Sequence, residues 1–392
     1  MSEPCDALVI GAGPAGLAAA ACLRERGLDP VILEKADAVG AVWRRHYDRL
    51  RLHTDRRHSA LPGLAMPKTY GRYPSRLDVV AYLENYATQF GLVPQFGTFV
   101  HAVRRRGTLW RAETEDKTFE APAVIVATGW ADFPYSPRWP GIETFGGDVL
   151  HSAGYRNPDR FRGRRALVVG FGNSGGEIAL DLAEAGVEVA ISVRGPVCIL
   201  PRELLGLPIL AWAIAEQRLP ARLADTLNAP AIRLAVGSIE KLGLERAARG
   251  PLQMIEEDGR IPLLDVGTVV MIRSGRIAVR PGVEAFSPAS VLFADGRTEP
   301  YDAVILATGF RPDLSALLPD AAGVLNLAGR PLVSGRRTAE RGLFFCGAIA
   351  SPTGQLREIG IEARHIADSG GLCEVAGARV GRREWATSHK PD

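Results

Sequence analysis

Long apolar runs, paired cysteines and a large charge imbalance are all missing from this chain of 392 residues. Its five cysteines, Cys5, Cys22, Cys198, Cys346 and Cys373, are scattered and never spaced C-x-x-C. That argues against a disulfide framework, a zinc site and a redox-active dithiol. The apolar stretch Leu207–Ala215 is too short to span a bilayer. The start, Met1-Ser2-Glu3-Pro4-Cys5-Asp6, has no basic region of the kind that opens a secretory signal. The expected setting is soluble, reducing and cytoplasmic. A net charge of +3 gives no case for nucleic acid or an anionic membrane as partner. A homo-oligomer is left open.

What is present is ordinary in bulk, with 46% hydrophobic and 23% charged residues. The length exceeds what one core usually supports, so two domains are expected. Two glycine-rich turns then organise the chain. Gly11-Ala12-Gly13-Pro14-Ala15-Gly16 follows the apolar run Ala7–Ile10, and Gly170-Phe171-Gly172-Asn173-Ser174-Gly175 follows Ala166–Val169. Each reads as buried strand, G-x-G-x-x-G turn and helix start. That arrangement brings backbone close to a pyrophosphate and points a helix N-terminus at its charge. Two such turns predict two dinucleotides and electron transfer between them.

The first unit carries Glu34 at the end of its second strand, near the spacing of about 20 residues at which an acid binds a ribose hydroxyl. This predicts FAD. The second unit ends Ile191-Ser192-Val193-Arg194, with no acid at the tip. Arg194 can fork onto a 2′-phosphate and Ser192 can donate to it, which predicts NADPH over NADH. Two similar strand ends, Ala123–Gly129 and Ala303–Gly309, both close on Ala-Thr-Gly. Residues 203–247 read as mostly helical, with breaks near Pro220 and Pro230. Strands are expected around 268–295, a strand at Leu343–Gly347, a last helix at about Gln355–Ala367, and a polar tail beyond Gly370.

Between the units, Phe145, Gly147, His151 and Tyr155 form the pattern F-x-G-x-x-x-H-x-x-x-Y. It resembles the fingerprint of flavin-containing monooxygenases; related Baeyer–Villiger enzymes usually carry Trp at the last position. The stretches Trp43–Thr54, Leu200–Glu203, Ile239–Leu244, Gly250–Leu252, Leu264–Gly267, Ile272–Gly275 and Leu306–Arg311 extend the likeness, in order, to the YUCCA-type branch. That branch comprises indole-3-pyruvate monooxygenases of plants and their bacterial relatives.

The resemblance implies an α/β fold of two Rossmann-like dinucleotide-binding domains. The NADP domain (156–295, with a helical insertion at 203–247) would be inserted into a discontinuous FAD domain (1–155 and 296–372), followed by a tail at 373–392. It implies an NADPH- and FAD-dependent monooxygenase that takes O2 and a small-molecule substrate and works through a flavin hydroperoxide. The cofactor carries the hard chemistry, so no nucleophile triad or metal is needed. Cofactor contacts are expected at Gly11, Gly13, Pro14, Ala15, Gly16, Glu34 and Lys35, and at Gly40, Val42, Trp43, Arg44, His53, Thr54 and Val100. Further contacts are expected at Ala127, Thr128, Gly129, Gly170, Gly172, Asn173, Ser174, Gly175, Ser192 and Arg194. The set closes with Ala307, Thr308, Gly309, Gly347, Gln355 and Leu356. His151 is the one catalytic candidate, with a hydrogen-bonded structural role as its alternative. The arginine-rich segment Arg49–Arg57 reads as an acid-binding site, a solvated face or a binder of FAD phosphates.

Three departures bear on the substrate. Ala41 stands where the family often has Gly, Arg56 where plant members commonly have Lys, and no Asn precedes Asn85. The substrate is either a 2-oxo acid or an N or S centre. Baeyer–Villiger oxidation is the rival within the class. A flavin-binding sensor or chaperone and a disulfide reductase are the rivals outside it.

Overall fold

Four- and five-residue apolar runs that end on glycine form the central strands of two parallel sheets, as seen in a computed structural model that describes residues 5–369. The chain lays down β1 (Ala7–Ile10), α1 (Pro14–Glu25), β2 (Pro30–Leu33), α2 (Ala41–Arg45) and α3 (Arg76–Gln89). An antiparallel meander follows, β3 (Ala102–Arg106), β4 (Leu109–Glu113) and β5 (Thr118–Ala121), then β6 (Ala123–Val126). Next come β7 (Asp148–His151), β8 (Arg165–Val169), α4 (Asn173–Glu184) and β9 (Glu188–Ser192).

An insertion contributes β10 (Ile199–Pro201), β11 (Glu203–Leu204), β12 (Leu207–Pro208), α5 (Ile209–Ala215), α6 (Ala221–Val236), α7 (Pro251–Asp258), β13 (Leu263–Asp265) and α8 (Thr268–Arg273). Then come β14 (Ile277–Arg280), β15 (Val283–Phe286), β16 (Ser290–Phe293), β17 (Thr298–Pro300), β18 (Ala303–Leu306), β19 (Leu343–Phe345) and α9 (Gln355–Asp368).

The first sheet has the order β19-β6-β1-β2 and the second β14-β9-β8-β18-β7, all pairs parallel. Parallel strands covered on both faces read as unbroken apolar runs. β1, β6 and β18 are buried throughout. On one face of the first sheet α1, α3 and α9 bury Leu17, Leu23, Tyr82, Tyr86 and Ile366. The meander brings Trp110 and Phe119 to the other face. A capping box between Ser75 and Asp78 starts α3.

Three expectations are corrected. Residues 203–208 are a hairpin rather than helix, and Pro230 lies inside α6 without ending it. Proline removes the hydrogen bond to the carbonyl of Thr226, and both residues are exposed, so water can take its place. Residues 268–273 are helix α8, not strand, and strands resume only at Ile277. The expected domain limits also fail to follow the sheets. β7 and β18, assigned by sequence to the FAD domain, pair with each other, and β18 pairs with β8. Each Ala-Thr-Gly strand thus belongs to the glycine turn beside it. The expected tail at 373–392 lies outside the described residues.

Candidate active site

The two glycine turns share one backbone hydrogen-bond pattern. In the first, the Gly11 N–H donates to Leu33 O at 2.8 Å, and Ala127 N–H donates to Ile10 O at 2.9 Å. In the second, Gly170 N–H donates to Ser192 O at 3.0 Å, and Ala307 N–H to Val169 O at 2.9 Å. Gly11 and Gly170 sit at φ +107° and +115°. A Cβ there would lie 2.6 Å from Ala127 O and 2.4 Å from Ala307 O, so these positions exclude any side chain. A Cβ on Gly16 or Gly175 would fall 1.8 Å or 2.0 Å from the carbonyl oxygen of Gly11 or Gly170. These third glycines pack helix against strand. Gly13 and Gly172 face open space, as a pyrophosphate cradle requires.

Glu34 is buried beside the first turn. Its Oε2 accepts from Ala12 N–H at 2.6 Å and its Oε1 from Ala36 N–H at 2.9 Å. Gly40 N–H donates to Ala12 O at 3.1 Å, docking the following loop onto the same turn. Ala41 opens α2. Lys35 and Arg45 both pair with Asp132, at 3.0 Å and 2.9 Å.

A cavity of about 760 Å³ runs from this turn past the start of α4 to the inserted helices. Gly11, Gly13, Pro14, Ala15, Glu34 and Lys35 line its first end. Gly40, Val42, Trp43, Val100, Ala127, Thr128 and Gly129 continue the wall. His53, Thr54, Gly347, Gln355 and Leu356 converge further in with Asn173 and Ser174. Gly347 is held by buried Glu362, whose Oε2 accepts the Gly347 N–H at 2.5 Å and the Ser334 hydroxyl at 2.8 Å. Burial raises the Glu362 carboxyl above its ordinary range.

Several residues expected as cofactor contacts lie outside this cavity. Gly16 lies behind the turn. Arg44 pairs with Glu84 and donates to Val39 O, off the cavity wall. Gly170, Gly172, Gly175, Arg194, Ala307, Thr308 and Gly309 surround the second turn, outside the cavity. Arg194 is exposed. Ser192 is buried, and its hydroxyl donates to Pro281 O at 2.7 Å, so it is not aimed at a ribose phosphate. The Asn173 side chain ties α4 to the segment at β13, accepting from Leu264 N–H at 2.7 Å and donating to Pro262 O at 3.3 Å.

His151 does not reach the cavity. Its Nδ1 accepts from Ala153 N–H at 3.1 Å, which leaves Nε2 to donate to Gly309 O at 3.0 Å. Both ring nitrogens are consumed, Nδ1 within its own segment and Nε2 in joining β7 to the turn after β18, and burial lowers its pKa. The last member of the linker fingerprint is likewise held by its neighbours. Tyr155 stacks on Phe161 and donates to Asp181 at 2.8 Å. Of the arginine-rich segment, Arg49 pairs with Asp181 and Glu184, and the segment reaches the cavity through Leu50, Leu52, His53 and Thr54.

The far end of the cavity was not legible from sequence. Ile209, Leu210, Trp212 and Ala213 of α5, with Ile232 of α6 and Leu252 and Ile255 of α7, make it apolar. Glu216 and Asn228 are paired there at 2.6 Å. Asp225 accepts from Leu252 and Gln253 N–H, both at 3.0 Å, and so caps α7. Two buried nitrogens of cavity-lining residues, His53 Nδ1 and Trp130 Nε1, have no hydrogen-bond partner among the described residues. Open glycine cradles, an acid fixed beside the first turn and orphaned polar atoms together fit a dinucleotide cofactor.

Comparison with known proteins agrees with that geometry. Residues 6–318 match the family model described as flavin-binding monooxygenase-like. The chain belongs to the flavin-binding monooxygenase family. This monooxygenase is 40% identical to an indole-3-pyruvate monooxygenase, YUCCA1, of Oryza sativa subsp. japonica, over 82% of this chain and 81% of that protein. It is 37% identical to a probable indole-3-pyruvate monooxygenase, YUCCA7, of Arabidopsis thaliana, over 87% of this chain and 82% of that one. Among solved structures it resembles a flavin-containing monooxygenase from Stenotrophomonas maltophilia, at TM-score 0.71 and 28% identity, covering 96% of this chain and 99% of that one. Cyclohexanone monooxygenase in its open form shares the fold, at TM-score 0.72 and 19% identity, over 95% of this chain and 88% of that one. The monooxygenase uses FAD and NADPH and takes a small-molecule substrate with O2. Among the described residues no helix is long and apolar enough to cross a membrane.

Proposed function

We propose that this monooxygenase converts an aryl 2-oxo acid of the indole-3-pyruvate type to the shortened carboxylic acid. Each turnover consumes one O2, one NADPH and one proton, and releases carbon dioxide, NADP⁺ and water. The observation that carries this reading is the apolar chamber between Leu210, Trp212, Ile232 and Ile255, which is shaped by bulky side chains and opens onto the cofactor cavity. The relatives named as indole-3-pyruvate monooxygenases, at 40% and 37% identity, support the same choice.

FAD supplies two-electron transfer and oxygen activation when bound. The chain's own part is placement. Gly13 and the N-terminus of α1 receive the pyrophosphate, and Glu34 takes the ribose hydroxyls. Gly172 and α4 receive the second dinucleotide, and Arg194 selects its 2′-phosphate. Leu52, Leu210 and Leu356 keep water from the space between the reacting groups. Thr54, Ser351 and Gln355 supply polar groups where the apolar chamber meets the cofactor cleft. Cys22 and Cys346 are buried free thiols, which suits a reducing compartment, and we place the enzyme in the cytoplasm.

Product masses decide the substrate class. Purified enzyme with NADPH and air is given indole-3-pyruvate, phenylpyruvate, cyclohexanone, a tertiary amine and a thioether. Acids one carbon shorter, formed from the first two, support the proposal. An ester from the ketone, or an N- or S-oxide as the main product, contradicts it.

A further inference from the structure

His53 and Glu177 join the two dinucleotide-binding units at the edge of the cavity. His53 lies on the segment after α2, in the wall on the FAD side. Glu177 lies on α4, the helix that starts at the second glycine turn, and it is 4% exposed. His53 Nε2 meets Glu177 Oε1 directly. Tyr47 and His46 are Glu177's other close titratable neighbours. Tyr47 is held neutral by burial next to that carboxylate, and His46 is lowered to about 4 chiefly by its own burial.

A carboxylate accepts, so Nε2 carries the proton when the ring is neutral, and Nδ1 is left with a bare lone pair. That lone pair is shielded from water and has no partner among the described residues. Buried polar atoms left this way in a native fold mark an absent partner or a catalytic role. The location narrows the choice. Thr54, the next residue, packs against the turn at Gly354, where a Cβ would come within 3.1 Å of Thr54 Cγ2. Gly354 leads into Gln355 and Leu356, which line the cavity at the start of α9. Asn173 and Ser174 line it from the opposite unit.

We propose that His53 is a catalytic residue whose Nδ1 accepts a hydrogen bond from the isoalloxazine ring of bound FAD, and that Glu177 is the positioning residue that fixes its tautomer. The proposal rests on the FAD assignment and gives the expected His53 contact its atom and its orienting partner. It also makes the flavin's pyrimidine end, which carries the one N–H of the oxidised ring, sensitive to the placement of α4, since one carboxylate on that helix orients the group that touches the ring.

Two substitutions separate the ring's two nitrogens. In His53→Asn the amide oxygen occupies about the place of Nδ1 and cannot reach Glu177. In His53→Gln the amide reaches toward Glu177 and leaves the place of Nδ1 empty. Two readouts on purified holoenzyme are compared: the visible absorption spectrum of bound oxidised FAD, and peroxide released per NADPH consumed. His53→Gln is expected to shift the spectrum and raise peroxide release about tenfold, the effect of one lost hydrogen bond. His53→Asn is expected to rescue both. The reverse pattern, or a wild-type spectrum in both variants, overturns the proposal.

If both variants change, or either fails to retain FAD, Glu177→Gln decides. It leaves the ring in place but removes the charge that fixes the tautomer, so its spectrum should shift part of the way toward that of His53→Gln. A wild-type spectrum in that variant overturns the proposal. Failure of the FAD assignment shows separately, as wild-type protein that carries no flavin.

Discussion

The backbone N–H of Ala12 donates to Glu34 Oε2 at 2.6 Å, so the first glycine turn and the acid at the tip of β2 form one unit. The second oxygen of the same carboxylate accepts from Ala36. Glu34→Ala orphans two backbone donors, each costing about 1–3 kcal/mol if it stays dry. The expected outcome is protein that elutes from gel filtration with little flavin and a lowered Tm. Glu34→Gln, which keeps one acceptor, should lose less. Full flavin occupancy in Glu34→Ala would refute this account of the turn.

The twin glycine turns predict separable failures. A methyl group on Gly175 would meet Gly170 O at 2.0 Å, whereas the first turn is untouched by that change. Gly175→Ala should therefore keep FAD but lose its reduction by NADPH by more than about tenfold. Gly16→Ala should lose FAD itself. Flavin spectra and anaerobic NADPH titrations of the two variants check the assignment of each turn to its cofactor.

Much of this architecture was legible because each element rests on local chemistry. The apolar run, the glycine turn and the Ala-rich helix of residues 7–25 specify one another, and α1 ends at Glu25 as its pattern predicts. Glu34 was legible from its spacing. Ser192 was not, because sequence places it at a strand tip but cannot say that its hydroxyl turns inward to Pro281. The sheet membership of β18 was hidden for a similar reason. Its sequence, Ala303–Leu306, suits either parallel sheet, and only its pairing with β8 and β7 decides. The apolar chamber comes from three helices brought together by folding, so no single stretch announces it.

Arg194 is exposed just beyond the tip of β9, where we propose that the 2′-phosphate of NADPH binds. Arg194→Ala should raise the KM for NADPH about tenfold or more while leaving the KM for NADH within about twofold. Initial rates of flavin-coupled oxidation of the two nucleotides measure this. An equal effect on both would move the phosphate contact to another residue.

His151 Nε2 bonds to Gly309 O, and from that geometry we propose a structural role for it. His151→Ala should lower stability by about 1–2 kcal/mol, the usual loss for a hydrogen-bonded buried side chain. Turnover per bound flavin should stay within about twofold of wild type. Chemical denaturation and flavin-normalised rates test the two halves of this prediction together.

Burial, with Arg156, Arg45 and Arg76 nearby, lowers His46 from the ordinary histidine value to about 4. The folded chain keeps this ring neutral while the unfolded chain protonates it below about pH 6.5. Its contribution to stability is therefore complete above pH 6.5 and is lost as pH falls toward 4. The loss is at most about 3 kcal/mol for this one group. His46→Gln should flatten the pH dependence of the denaturation midpoint over that window, and an unchanged slope would contradict the assignment.

Anaerobic mixing of the purified holoenzyme with NADPH tests the central claim most directly. Electrons should pass from the nucleotide at the second turn to the flavin at the first, bleaching the flavin's visible absorbance, which returns when oxygen is admitted. A flavin that stays oxidised under excess NADPH, or a purified protein without flavin, would contradict the account.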